Sequence, residues 1–256
     1  MYERARRQHV KGETGSLCDA MIISTKEEAK AENKRILQYL NCDNLFNAIL
    51  DLFIGGADPI KNTMRWMLLL LSKYLDMQQQ MRQEVDDVIG NQIPQLSHKS
   101  DCNLISAFMS ESLRFRHITP TTIPHKAMAD AEVSGFMIPK GTTVMISLIN
   151  ALNDQDVCSD PQKFRHDRFL DSSGTFVSKQ MNQHFVPFGA GRRACPGDRL
   201  AMNILFLTVC RLLQRTERIE VVGGVGEDHM RGDFNVTTNF TPAPFIMQPR
   251  YIVIPP

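Results

Sequence analysis

The run Phe188-Gly189-Ala190-Gly191-Arg192-Arg193-Ala194-Cys195-Pro196-Gly197 constrains this chain more than any other stretch. It sets one cysteine in a glycine-punctuated loop with two arginines just before the thiol. Glycine lets the backbone turn tightly where a side chain would clash. Pro196 fixes φ directly after the thiol and removes one backbone donor. A helical run, Leu200 to Gln214, follows at once, and a helix start carries partial positive charge. Nearby cations and a helix N-terminus favour thiolate over thiol. A thiolate in such a loop is a good axial ligand for a haem iron. The plainer reading is a buried structural thiol in a Gly-Pro turn. That reading suits Cys18, Cys42, Cys102, Cys158 and Cys210, which show no zinc or disulfide spacing.

Composition narrows the class. The 256 residues suffice for one large core or two modest domains. Apolar residues make up 43% and charged residues 22%, as in ordinary globular chains. A net charge of +1 gives no global case for nucleic-acid binding. Met1 to Arg7 is polar and basic, without the apolar core of an export signal. The longest apolar run, Trp66 to Leu71, is far short of the ~20 residues that span a bilayer.

Periodicity predicts a mainly helical chain with small β-sheets. Residues 1–42 form a polar segment, with a helix over Glu27–Leu40 and Thr25 as its N-cap. Asp43 caps a long helix reaching about Leu75, in which Phe46, Ile49, Leu50 and Phe53 recur at helical spacing. Met64 to Leu71 is apolar nearly all round, which marks a helix inside a large core. Further helices are expected over Met77–Ile89, closed by Gly90-Asn91, and over Leu104–Phe115. Strands are expected over Ala131–Met137 and Thr142–Leu148, with Ile138–Gly141 as the turn between them. Asn150 to Gly174 reads as loop with one short helix. Ile219–Val222 and Ile246–Ile254 read as strands.

The spacing Phe188-x-x-Gly191-x-Arg193-x-Cys195-x-Gly197 resembles the haem-thiolate loop of the cytochrome P-450 monooxygenases. Order along the chain is similar too: long helix, Glu-x-x-Arg helix, strands, Phe-x-x-x-Arg-Phe segment, cysteine loop, helix, strands. The resemblance covers about Asp43 to Ile254 and matches only the C-terminal half of microsomal members. It implies a truncated chain whose residues 43–256 are the haem-binding C-terminal half of a P-450 fold. The missing part would include an N-terminal membrane anchor.

The resemblance implies roles for particular residues. Cys195 would be the iron ligand of haem b, with Phe188, Gly191 and Gly197 shaping its loop. Arg193 and His125 would hold the propionates. Glu111, Arg114 and Arg168 would form a structural triad that locks the loop presenting the thiolate. The family's distal helix carries Ala/Gly-Gly-x-Asp/Glu-Thr, and this chain reads Gly55-Gly56-Ala57-Asp58-Pro59. Gly56 and Asp58 match; Pro59 stands where the catalytic threonine is expected. Proline clashes with the carbonyl four residues before it, so a kink and a free Gly55 carbonyl are expected. Thr121, Thr122, Ile123 and Phe240 would line the substrate. Ala201-Met202-Asn203-Ile204 replaces a charged pair that many microsomal members carry on the following helix.

The function implied is a monooxygenase that inserts one atom of dioxygen into a small apolar substrate. Its partners would be NADPH-cytochrome P-450 reductase and cytochrome b5, at the cytoplasmic face of the endoplasmic reticulum membrane. Two alternatives stay open: an isomerase or dehydratase of the same fold, or a truncated haem-binding chain without turnover.

Overall fold

A computed structural model describes residues 42–177, 184–234 and 240–251, together with Ala20 and Ile23. The helix expected over Glu27–Leu40 lies outside them. The chain divides into two compact units, Met1–Asp58 and Pro59–Pro256.

Helix α1 (Cys42–Lys73) carries the long periodic pattern and contains Pro59 without ending there. It starts at Cys42, so Asp43 lies inside it rather than capping it. In the first unit, a Cβ at Gly55 or Gly56 would meet nothing within 4 Å. Those glycines are not explained by close packing, and Phe53 and Ile54 beside them are exposed. In the second unit, Trp66, Met67, Leu69, Leu70 and Leu71 are buried, as the all-round apolar run requires.

Helix α2 (Leu75–Val88) buries Met77, Met81 and Val85 on one face. Gln78 shares that face because its carboxamide acts as a piece of strand. It donates to Leu71 O and Ile219 O, each at 3.0 Å, and accepts from Ile219 N at 2.9 Å. Gly90, at φ +57°, takes the left-handed conformation that closes the helix. Helix α3 (Asn103–Phe115) is buried from Ile105 to Arg114. Its serines do not leave orphaned hydroxyls: Ser110 donates to Ser106 O at 2.9 Å and Ser112 to Phe108 O at 2.7 Å.

Strands β1 (His125–Lys126), β2 (Ala131–Val133), β3 (Phe136–Ile138) and β4 (Thr143–Val144) correct the sequence reading. The run Ala131–Met137 is not one strand. It folds back at Ser134-Gly135, both at positive φ (49° and 84°), and β2 pairs antiparallel with β3. Two successive positive-φ residues make the tight turn whose twist suits a two-residue hairpin. β4 pairs with β1 instead, His125 opposite Val144. Leu148, expected in a strand, begins helix α4 (Leu148–Leu152), capped by the Ser147 hydroxyl.

Helix α5 (Asp198–Arg215) buries Leu205, Phe206, Val209, Cys210 and Leu213 against the same core. It runs into β5 (Thr216–Val221). The short helix α6 (Glu227–Arg231) and strands β6 (Asp233–Phe234), β7 (Phe240–Thr241) and β8 (Met247–Tyr251) follow. β5 pairs with β8 and β6 with β7, both antiparallel. The described chain is thus mainly helical with four two-stranded sheets. No helix among the described residues is long and apolar enough to cross a membrane.

Candidate functional site

The cysteine loop is built from its own backbone. Gly189 N donates to Val186 O at 3.0 Å, and Cys195 N donates to Phe188 O at 2.8 Å. Gly189 and Gly191 sit at φ +74° and +71°, a conformation glycine adopts without penalty. A single 3-10 turn, Gly191–Arg193, brings Ala194 N to Gly191 O at 3.1 Å. Gly197 is the N-cap residue of α5, and its carbonyl accepts from Ala201 N at 2.8 Å.

The loop leaves Cys195 exposed as a free thiol, whereas Cys102, Cys158 and Cys210 are buried. Cys210 packs against Cys102, whose contact, with burial, pushes the Cys210 thiol far above its ordinary range. A Cβ at Gly197 would stand 3.9 Å from Cys195 Sγ, so glycine there keeps one flank of the sulfur uncovered. Phe188 is half-buried beside it. A cleft of about 510 Å³ borders the loop, lined by Met109, Leu113, Phe185, Phe188, Arg199 and Met202. At its edge Asn203 accepts from Lys99 Nζ at 3.2 Å.

Upstream, α3 delivers a buried carboxylate. Glu111 and Arg114 have no exposed side-chain surface and meet in a two-pronged pair at 2.7 Å for each contact. Such a bidentate pair fixes both groups in one plane. Arg114 also donates to Pro161 O at 3.0 Å and to Lys163 O at 3.3 Å. Glu111 accepts from Arg165 N at 2.8 Å and from Arg168 Nε at 3.4 Å. The remaining Arg168 donors reach Ser159 O and, at 2.7 Å, Asp160 O.

The structure therefore brings Glu111, Arg114 and Arg168 together. Among the described residues, none of their hydrogen bonds ends directly on residues 188–197. Their acceptors lie on 152–163, and Arg168 follows Arg165 in the segment that the carboxylate anchors. Phe169, next in that segment, meets Phe185 edge-on at 5.0 Å.

Two groups that spacing alone did not single out complete the frame. Glu84 of α2 turns its carboxylate onto the open end of α3, accepting from Leu104 N at 2.7 Å and Ile105 N at 2.9 Å. Burial pushes its carboxyl above the ordinary range, against the pull of those N–H groups. His117, buried just past α3, sets Nε2 2.8 Å from Pro187 O and Nδ1 2.6 Å from Thr119 O. An acidic residue opposite a helix end leaves no periodic signal, and a ring bridging 70 positions leaves none either.

The other candidate residues fall as follows. Arg193 is exposed and His125 half-buried on β1, and neither makes a side-chain hydrogen bond or ion pair among the described residues. Thr121 bridges to Ser147, and the Thr122 hydroxyl accepts from Ile146 N at 3.1 Å. Ile123 is 73% exposed. Phe240 instead stacks on Trp66, ring centres 5.3 Å apart, and its N–H reaches Ile118 O at 2.6 Å. Its ring belongs to the core. Gly56, Asp58 and Pro59 all lie on α1. Pro59 supplies no N–H for Gly55 O.

Comparison with known proteins agrees with the loop. The family model described as "Cytochrome P450" matches residues 1–229. The chain is 40% identical over 200 residues to cytochrome P450 2D20 of Mesocricetus auratus, covering 78% of this chain and 39% of that protein. It is 38% identical over 230 residues to cytochrome P450 2D4 of Rattus norvegicus, covering 90% and 44%. Cytochrome P450 2D15 of Canis lupus familiaris is 40% identical over 200 residues, covering 78% and 39%. The chain spans less than half the length of these relatives.

Proposed function

We propose, since the chain belongs to the cytochrome P450 family, that it provides the thiolate side of a haem monooxygenase. The observation that carries this reading is Cys195. It is a free, exposed thiol on a loop whose backbone is closed by hydrogen bonds on both sides.

The donor set fits haem b. A soft thiolate suits iron. Arg193 and His125, without side-chain partners among the described residues, are available to two propionates. Gly197 leaves its flank of the sulfur open, and Phe188 accepts the Cys195 N–H through its carbonyl. When bound, the haem supplies the activation of dioxygen.

The chain's own residues do the rest. Cys195 would hold the haem iron through its thiolate, on a turn closed by backbone hydrogen bonds. The Glu111–Arg114 pair keeps α3 and the segment after it in register. Thr121, Thr122 and Ile123 are assigned to the wall against an apolar substrate. By resemblance of the Gly55–Pro59 motif alone, Gly56, Asp58 and Pro59 take the oxygen side, with Asp58 moving protons. This reading calls for NADPH-cytochrome P450 reductase and cytochrome b5 as electron donors, and for work at the cytoplasmic face of the endoplasmic reticulum membrane.

Pro59 favours one second reading. Without a hydroxyl at that position, an isomerase or dehydratase that needs no external electrons fits the same residues.

Reconstitution of the chain with haem tests the thiolate. The ferrous–CO complex of the wild type is expected to show the red-shifted Soret band of thiolate ligation, and Cys195→Ser to lose it. Retention of that band in Cys195→Ser would overturn the reading. Turnover of an organic peroxide without NADPH would select the isomerase class.

A further inference from the structure

The ExxR carboxylate does not touch the cysteine loop, so something else must hold the loop against α3. The imidazole of His117 is placed to do it. It follows α3 by two residues, it is 5% exposed, and both its nitrogens are engaged. Nε2 lies 2.8 Å from Pro187 O. Pro187 immediately precedes Phe188, whose carbonyl receives the Cys195 N–H. Pro187 has no N–H of its own, so its carbonyl is the handle the backbone offers there.

On the ring's other side, Nδ1 lies 2.6 Å from Thr119 O and 3.2 Å from Thr119 N. That contact shapes the start of the segment 119–123. Pro120 O then accepts from Leu148 N at 2.9 Å, and Thr122 N donates to Ile146 O at 2.9 Å.

We propose that His117 is a positioning residue whose ring ties the end of α3 and the Thr119–Ile123 wall to the loop that carries Cys195. This rests on the thiolate reading for its consequence, though not for its geometry. Nε2–H donates to Pro187 O, and Nδ1 stands between Thr119 O at 2.6 Å and Thr119 N at 3.2 Å, its role there set by the tautomer. Loss of the ring frees Pro187 and lets the loop shift, while the Glu111–Arg114 pair stays made. The ligand sulfur then wanders relative to the wall, with no change in its own chemistry.

Three substitutions separate positioning from general packing. His117→Phe keeps the ring's bulk and removes both polar contacts. His117→Asn places an amide near Nδ1 and falls short of Pro187. His117→Gln reaches as far as Nε2 and can still donate to Pro187 O.

The first readout is hydrogen exchange in the chain without haem. In Phe and Asn variants, exchange at Gly189 and Cys195 is expected to speed up about fivefold to tenfold, the scale of one lost hydrogen bond. Amides from Glu111 to Arg114 should be unchanged, and Gln should restore the loop. The second readout is the ferrous–CO spectrum. Phe and Asn should shift population from the red-shifted band to the shorter-wavelength band, and Gln should recover it.

Unchanged exchange at Gly189 and Cys195 in both Phe and Asn variants overturns the proposal, as does a Gln variant no better than Asn. If Phe does not fold, the Asn–Gln comparison decides. A loop loosened by His117→Asn in a chain whose Cys195→Ser variant keeps its red-shifted band leaves the positioning intact and sinks only the thiolate reading.

Discussion

Replacing Glu111 by glutamine removes one negative charge from a place with no water around it. The substitution keeps the side-chain shape, so any loss is electrostatic. Arg114 is left fully buried with its charge uncompensated, and breaking such a pair by removing one partner costs about 3–5 kcal/mol. Two details place the loss within that range. Arg114 keeps Pro161 O at 3.0 Å, and its Lys163 O contact is longer, at 3.3 Å, so backbone carbonyls soften the loss only partly. Arg165 N–H, 2.8 Å from the carboxylate, loses a charged acceptor; bonds to charged groups exceed neutral ones by about 1 kcal/mol. The expected loss is therefore about 4 kcal/mol, a large share of the ~5–15 kcal/mol that stabilises a typical domain. Urea unfolding is the assay. With a slope of about 1–3 kcal/mol/M, the midpoint should fall by more than about 1 M. Lys163→Gln is the control. It breaks the Lys163–Asp160 pair, whose side chains are 68% and 55% exposed, and an exposed pair contributes only about 0–1 kcal/mol. A Glu111→Gln midpoint no lower than that control's would refute the claim that α3 is organised by a buried pair.

Gly232→Ala should destabilise by at least about 2 kcal/mol through overpacking. A Cβ there would stand 2.6 Å from Trp66 Cζ2 and 2.7 Å from Thr241 O, at a φ of +65°; a thermal midpoint within a degree of wild type would contradict it. Acid should weaken the fold through His117 and His166, since burial is the largest cause holding both below the ordinary histidine range. The native state keeps them neutral while the unfolded chain protonates them. Their stabilisation is therefore complete above about pH 6.5 and is lost as pH falls through the lower folded values. Unfolding followed at several pH values should show a shallower acid loss in His117→Gln than in wild type.

Sequence pattern was most informative where one residue type and one spacing do the work. Helix α3 and its Glu111–Arg114 pair follow from i, i+3 geometry, and the cysteine loop follows from glycines that the structure sets at positive φ. Reading failed where a partner sits far away in the chain. Ser134-Gly135 is flanked by apolar residues, so their pattern runs a strand straight through a two-residue turn. For Phe240, nothing nearby announces Trp66, 174 positions away, on which its ring stacks and whose indole N–H its carbonyl accepts. Gln78 is buried and Glu84 half-buried, and both spend their capacity on distant backbone, so a helical wheel would misplace both on solvent.

The triad and the thiol are linked, but by intermediaries rather than by contact. One route runs from the Glu111 carboxylate through Arg165 and Arg168 to Phe169, and from its ring to Phe185, three residues before Phe188. The other runs from the end of α3 through His117 to Pro187. The first is an aromatic edge contact, which fixes distance and tolerates sliding. The second is a directional hydrogen bond to the residue next to Phe188, which fixes register. Both reach the loop on its N-terminal side, while its C-terminal side is held by α5 through Gly197 O and Ala201 N. Cys195 therefore lies between the first turn of α5 and a strap whose hydrogen bond to the end of α3 is made through His117. A change to Glu111 should loosen the whole segment along with the loop, whereas a change to His117 should loosen the loop alone.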